Sequence, residues 1–210
     1  MIVLVGASAS GKTEIAKILC KTYGYKKCIT TTTRLKRENE LADIDYHFIS
    51  KQKFLKQKAN DEFIEVTNYQ DNFYGTHISD INKDGVVIVD PNGANALLSK
   101  LNGDIFVVYV ESSEKLRRQR MISRGDNPKL VEKRIKADQS VFQLKKIKHI
   151  DLHAVLFMRT EQYGVMTADI AGEILTMRNM TKSMEITRSQ KDGSKPLLMQ
   201  KNLERLMILL

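Results

Sequence analysis

Tryptophan is absent from this chain, cysteine occurs twice, and no uninterrupted apolar run exceeds the six residues Ile105–Val110. A bilayer needs about 20 apolar residues, so no transmembrane helix is expected. Cys20 and Cys28 form no CxxC and no cluster with histidine. This excludes a zinc site or a disulfide framework and leaves two small residues suited to a reducing compartment. The opening MIVLVGAS has no basic residue ahead of its apolar stretch, so it is not a secretory signal. A cytoplasmic location is the expectation. No basic arm with interleaved aromatics and no known nucleic-acid motif is present, so neither nucleic acid nor a membrane is expected as a partner. No internal repeat or extended low-complexity tract occurs.

The 210 residues are 42% hydrophobic and 28% charged, enough to bury the core of one domain with a possible appendage. The net charge of +9 implies an anionic partner, and its position narrows the choice. Residues 112–150 hold twelve basic and four acidic residues, whereas residues 1–111 balance at fourteen of each.

Short β-branched runs, Ile2–Val5, Val86–Val89, Ile105–Val110 and Ala154–Phe157, predict buried strands. Amphipathic stretches alternate with them: Thr13–Tyr23, Asn92–Leu101, Ser113–Arg124, Leu130–Lys148 and Glu161–Met177. That alternation predicts an α/β fold, a three-layer parallel sheet with helices on both faces. Residues 31–83 break the rhythm, being polar, with one helix-like stretch (Lys51–Ala59) and one short strand (Phe63–Val66). They are expected to form an inserted subdomain covering a substrate. The core is then 1–30 and 84–178, with RGDNP (Arg124–Pro128) as a lid tip or hinge. Residues 179–210 join a polar run to the apolar finish LLMQKNLERLMILL. A tail helix and a poorly ordered appendage both fit this extension.

After the first strand comes Gly6-Ala7-Ser8-Ala9-Ser10-Gly11-Lys12-Thr13, the pattern GxxxxGK[ST]. Backbone N–H groups of such a loop wrap phosphate oxygens at the start of a helix. Lys12 reaches the β- and γ-phosphates, and the Thr13 hydroxyl suits Mg²⁺. With strand before and helix after, the segment is read as a nucleoside triphosphate site rather than a plain glycine turn. Asp90 ends Val-Val-Ile-Val-Asp. It is placed either to serve the bound ion, through water, or to cap the next helix.

Within the insertion stand Thr30-Thr-Thr-Thr-Arg34-Leu-Lys-Arg37-Glu-Asn-Glu40, Asp45-Tyr46-His-Phe48, Glu62-Phe-Ile-Glu65 and Asn72-Phe-Tyr74-Gly-Thr76. Asp90-Pro-Asn-Gly93 and Arg120-Met-Ile-Ser-Arg124-Gly125 follow. In order and separation these resemble the TTRxxRxxE, DYxF, EFxE, YGT/S, IDxQG and RLxxRG motifs of the guanylate kinase family, over Ile2 to about Met177. Arg34 and Arg37 can present two planar guanidinium forks to one phosphate, and Tyr46 and Tyr74 can add neutral hydrogen bonds.

The resemblance implies a P-loop nucleoside monophosphate kinase with an acceptor insertion and a small lid at about 120–134. It would transfer the γ-phosphoryl of ATP to GMP or dGMP, with Mg²⁺, as a monomer or homodimer. Arg34, Arg37, Tyr46 and Tyr74 would then hold the acceptor phosphate. Glu65, Thr30 and Thr76, with Asp90, would serve the guanine side. Guanine offers a carboxylate two N–H donors, where adenine would leave it unpaired at a cost of about 2–5 kcal/mol. Lys12, Arg34, Arg120, Arg124 and Arg134 would stabilise the transferring group, whereas Arg117 and Arg118 are expected to be solvated.

The sequence departs from the family at Ala9, usually glycine, and at Ile88 and Val141, often acidic. Phe157-Met-Arg-Thr replaces an Asn-Asp on the adenine side. Two alternatives stay open: a deoxynucleoside monophosphate kinase of other base preference, and a phosphoprotein-binding module of guanylate-kinase-like fold without catalysis.

Overall fold

Strand β1 (Ile2–Val5) is buried along its whole length because helices cover both its faces. Ile2 and Leu4 pack against Ile15, Ala16 and Leu19 of α1 (Lys12–Tyr23). Val3 and Val5 point the other way, into a cluster with Ala94 and Leu97 of α3 (Pro91–Lys100). Side chains alternate across a strand, so a continuous apolar run supplies both interfaces at once. This arrangement comes from a computed structural model that describes residues 1–101, 105–147, 155–159, 172 and 174–180.

The main sheet is parallel, in the order β2 (Lys26–Lys27), β7 (Gly85–Val89), β1, β8 (Phe106–Glu111), β9 (Val155–Arg159). Its strand order reverses at β1, and a crevice opens at the C-terminal ends of β1 and β7; in such sheets ligands bind there. The layered α/β architecture predicted from the alternation is the one observed.

The inserted segment carries a second sheet in the order β4 (His47–Phe48), β3 (Thr30–Thr32), β6 (Asn72–His77), β5 (Phe63–Tyr69). Helix α2 (Lys51–Ala59) closes it by stacking Phe54 on Phe63 and Phe73, with ring centroids 4.5 and 5.4 Å apart. Only Phe63–Val66 of this sheet was predictable from apolar periodicity; its other strands are short or mostly polar. Helices α4 (Glu114–Ser123) and α5 (Pro128–Val141) form an antiparallel pair around Met121, Val131 and Ile135. α5 ends at Val141, short of the predicted Lys148, because the chain turns through a 3₁₀ segment at Leu144–Lys146. Of the helix predicted over Glu161–Met177, residues 174–180 are helical. Beyond 180, the extension lies outside the described residues. Among the described residues no helix is long and apolar enough to cross a membrane.

Candidate active site

The phosphate loop leaves β1 pressed against β8. A Cβ on Gly6 would sit 2.2 Å from the carbonyl oxygen of Val110, so no other residue fits there without moving β8. At the loop's crown Ala9 adopts a left-handed φ of 60°, which a methyl-bearing residue enters at a cost of about 1–2 kcal/mol. The departure from glycine is therefore a strained one, and its methyl packs against the Met121–Val131–Ile135 cluster. Helix α1 begins at Gly11 with no side-chain cap, leaving its N-terminal dipole to the crevice. The Lys12 ammonium folds back to donate to the carbonyls of Gly6 and Ala7 at 2.6 and 2.7 Å. Burial pulls its pKa down to about 8, with Arg117 and Arg124 adding to the fall and Asp138 opposing it. Gly6, Ser8, Ala9, Lys12 and Thr13 line the crevice. Ala7 faces an adjoining cavity instead, and Ser10 is fully buried, with its N–H donating to Ala7 oxygen at 3.2 Å.

Across the crevice, β5 carries a bulge. Phe63 pairs with His77 and Glu65 with Thr76, so one extra residue breaks the alternation and buries Phe63, Ile64 and Glu65 together. The bulge aims Glu65 at the Thr76 hydroxyl, which donates to it at 2.7 Å. Burial, with Asp90 adding, raises the Glu65 pKa to about 7, against the Thr76 bond. Thr30 lies opposite Thr76 in the β3–β6 register and also lines the crevice. Asp90 serves as the helix cap: its Oδ1 accepts from the Gly93 N–H at 2.8 Å and from the Thr67 hydroxyl at 3.0 Å. It also lines the crevice, so the two readings of Asp90 are compatible. Gly93 is required by packing, since a Cβ would lie 2.8 Å from Val89 Cβ and 3.1 Å from Glu65 Oε2. Ile88, where a second carboxylate is absent, faces the same space.

Arg34, Arg37, Arg124 and Arg134 line this crevice together with Tyr46 and Tyr74. Two carboxylates hold these cations. Glu40 accepts both forks of Arg34, at 3.0 and 2.8 Å, and Arg37 Nη1 at 3.0 Å. Asp126 lies 2.6 Å from Arg124, 3.1 Å from Arg134 and 3.8 Å from Arg37. Although burial opposes it, bonding to Arg34 and Arg124 respectively keeps Glu40 and Asp126 below the usual carboxylate range. Arg34 also stacks over the Tyr46 ring at 5.4 Å. Arg134 donates to Gln70 at the β5–β6 turn, bringing lid and insertion into contact.

Two arginines sit differently from their expected places. Arg120 does not line the crevice; its Nη1 donates to the carbonyl of Ala9 and to Ser112, bracing the loop from outside. Arg117 is not solvated: it is 4% exposed and donates to Asp138 at 2.8 Å. Arg118 is partly exposed and pairs with Glu132, as expected of a surface arginine. The sequence reading passed over Thr67, Tyr69, Asp126, Asp138 and Phe142. Asp138 was the most findable, since it precedes the non-acidic Val141 by three residues and so shares its helix face. The altered Phe157-Met-Arg-Thr segment contributes residues 157–159 to the end of β9, and Thr160 lies outside the described residues.

The family profile described as Guanylate kinase matches residues 1–157. A guanylate kinase of Symbiobacterium thermophilum is 32% identical over 143 residues, spanning 64% of this chain and 68% of its own. One from Mycoplasmopsis pulmonis is 36% identical over 143 residues, 61% of this chain and 72% of its own. Among solved structures, the guanylate kinase of Anaplasma phagocytophilum superposes with a TM-score of 0.59 at 21% identity, over 97% of this chain and 93% of that one. That structural likeness supports the fold.

Proposed function

Because the chain belongs to the guanylate kinase family, we propose that it transfers the γ-phosphoryl group of ATP to GMP, giving ADP and GDP. The observation that carries this reading is one crevice lined both by the phosphate-loop lysine and by a carboxylate–arginine set on a separate sheet. A module that merely holds a phosphorylated partner has no use for both, so that alternative is not favoured.

Each side chain then has a task set by its position. Lys12 and the uncapped start of α1 receive the triphosphate. Arg34 and Arg37 exchange Glu40 for the acceptor phosphate, helped by the hydroxyls of Tyr46 and Tyr74. Glu65 accepts the two guanine N–H groups, with Thr30 and Thr76 beside it. Arg124 and Arg134, presented by the lid helices, release Asp126 to neutralise charge spreading over the transferred group. Arg120 keeps the loop crown in place. Alignment of two polyanions and exclusion of water account for the catalysis, with little covalent work by the protein.

Thr13 and Asp90 offer hydroxyl and carboxylate oxygens to the same crevice, the hard donors that Mg²⁺ takes. The ion, when bound with ATP, supplies charge neutralisation at the phosphates. Asp90 Oδ1 is committed to Gly93 and Thr67, so a water-mediated contact through Oδ2 fits it best. No side chain here is assigned to the ribose 2′ position, so dGMP is a second acceptor on this reading. We read the enzyme as cytoplasmic, a monomer or homodimer, acting on nucleotides without nucleic-acid or membrane partners.

A coupled assay of ADP release with GMP, dGMP, AMP and dTMP tests the assignment. Release with the guanine nucleotides is expected. Equal or greater release with AMP or dTMP would overturn the base assignment, and none with any acceptor would overturn the activity.

A further inference from the structure

Against the phosphate loop lies a carboxylate that the proposed chemistry leaves unused. Asp138 of α5 has no exposed side-chain surface. Its Oδ2 accepts the Ser8 backbone N–H at 2.9 Å and Arg117 Nη1 at 2.8 Å. Its Oδ1 accepts the Tyr69 hydroxyl at 2.5 Å and lies 3.4 Å from the Ser8 hydroxyl. We infer that Asp138 is a positioning residue that couples the acceptor subdomain to the phosphate loop, through Tyr69 on one side and the Ser8 amide on the other.

Oδ1 chiefly serves the acceptor sheet through Tyr69, and Oδ2 the phosphate loop and α4 through Ser8 and Arg117. Tyr69 is the last residue of β5, the strand that also carries Glu65. Ser8 stands in the loop between Gly6 and Lys12 and lines the crevice. Arg117 comes from the lid helix α4 and also approaches the Ser8 carbonyl at 3.5 Å. Its Nε has no hydrogen-bond partner among the described residues. A buried ion pair of this kind is weak as a source of stability, because desolvation offsets its attraction. What it does fix is direction: two acceptor oxygens on one rigid group cannot satisfy Ser8, Arg117 and Tyr69 unless all three are in place.

The acceptor sheet meets α5 at Tyr69 and Gln70. A nucleotide that holds this sheet closed keeps Tyr69 on Asp138, and the satisfied carboxylate holds Ser8 as the triphosphate requires it. GMP therefore tightens ATP binding, and by linkage ATP tightens GMP binding to the same degree.

The inference rests on the donor and acceptor assignments made above. The test measures binding of a non-hydrolysable ATP analogue by calorimetry, with and without saturating GMP. The wild-type protein is expected to bind the analogue at least about fivefold tighter with GMP present. Tyr69→Phe removes one hydroxyl and should reduce that gain to within about twofold. Asp138→Asn, if folded by circular dichroism, should weaken the analogue about tenfold with or without GMP. A purely structural role would lower the melting temperature of Tyr69→Phe and leave the GMP-dependent gain intact, which overturns the inference. So does a wild-type protein that binds both ligands with no mutual effect, a result that leaves the kinase assignment standing. Failure of the wild-type protein to bind GMP at all would instead count against that assignment.

Discussion

At the residue scale, the two charges that the chemistry needs sit at opposite edges of one pH window. On the proposed reading Glu65 must be ionised to accept two N–H groups, and burial raises its pKa to about 7. The kcat/KM for GMP should therefore climb about tenfold per pH unit below 7 and level off above it. Thr76→Val removes the hydroxyl that favours the ionised form, so the midpoint of that limb should move above 7 in the same assay. Because the folded pKa exceeds the ordinary 4.5, the ligand-free protein holds an extra proton between those values. Its stability should fall as pH rises from about 4.5 to 7, by up to about 3 kcal/mol in denaturant titrations. Glu65→Gln keeps the shape but turns an amide donor toward guanine, and kcat/KM for GMP should drop about 30-fold or more with selectivity over AMP reduced. Lys12 titrates at about 8, so kcat/KM for ATP should decline above that pH. Lys12→Met should lower kcat by about 10²–10³-fold.

At the element scale, the lid and the insertion are joined by charges that, on the proposed reading, substrates displace. Asp126, between Arg37, Arg124 and Arg134, stands where an anion is wanted. Asp126→Asn leaves those arginines under-neutralised. Binding of GMP should tighten about threefold by calorimetry, while the melting temperature of the free protein falls. The sequence pattern showed α1, α3 and α4 to within about two residues of their observed bounds, since each is an amphipathic repeat with a clear start. The expected start of α5 at Leu130 falls two residues late, because Asn127 caps the helix and Pro128 opens it. The second sheet was mostly illegible. Its strands are polar because one side faces the crevice, and the bulge that turns Glu65 inward leaves no trace in residue type. Nor does composition announce that the two-residue turn Gln70–Asp71 takes positive φ angles at both positions.

At the scale of the whole molecule, the excess charge has a place and a consequence. Of the basic residues in 112–150, Arg124 and Arg134 join Arg34, Arg37 and Lys12 in the crevice. Attraction of a polyanion to such a cluster is screened beyond about 8 Å at physiological salt. The KM for ATP should therefore rise about threefold or more between 50 and 300 mM salt, with kcat much less affected. Glu40 and Asp126 are the local counterions of these arginines.

What the sequence determined by itself was chemistry of kind: a phosphate loop between a strand and a helix, an arginine pair able to fork a phosphate, and their order along the chain. Those follow from residue types at fixed short spacings, which local backbone geometry converts directly into function. Only the tertiary structure decided which arginines reach the crevice. Arg117 and Arg120 share a helix face with Arg124, yet the packing of α4 and α5 sends the first to Asp138 and the second to Ala9. Such choices depend on contacts more than a hundred residues apart, such as Asp138 to Ser8. No local pattern carries that information, because burial and partner are properties of the assembled layers.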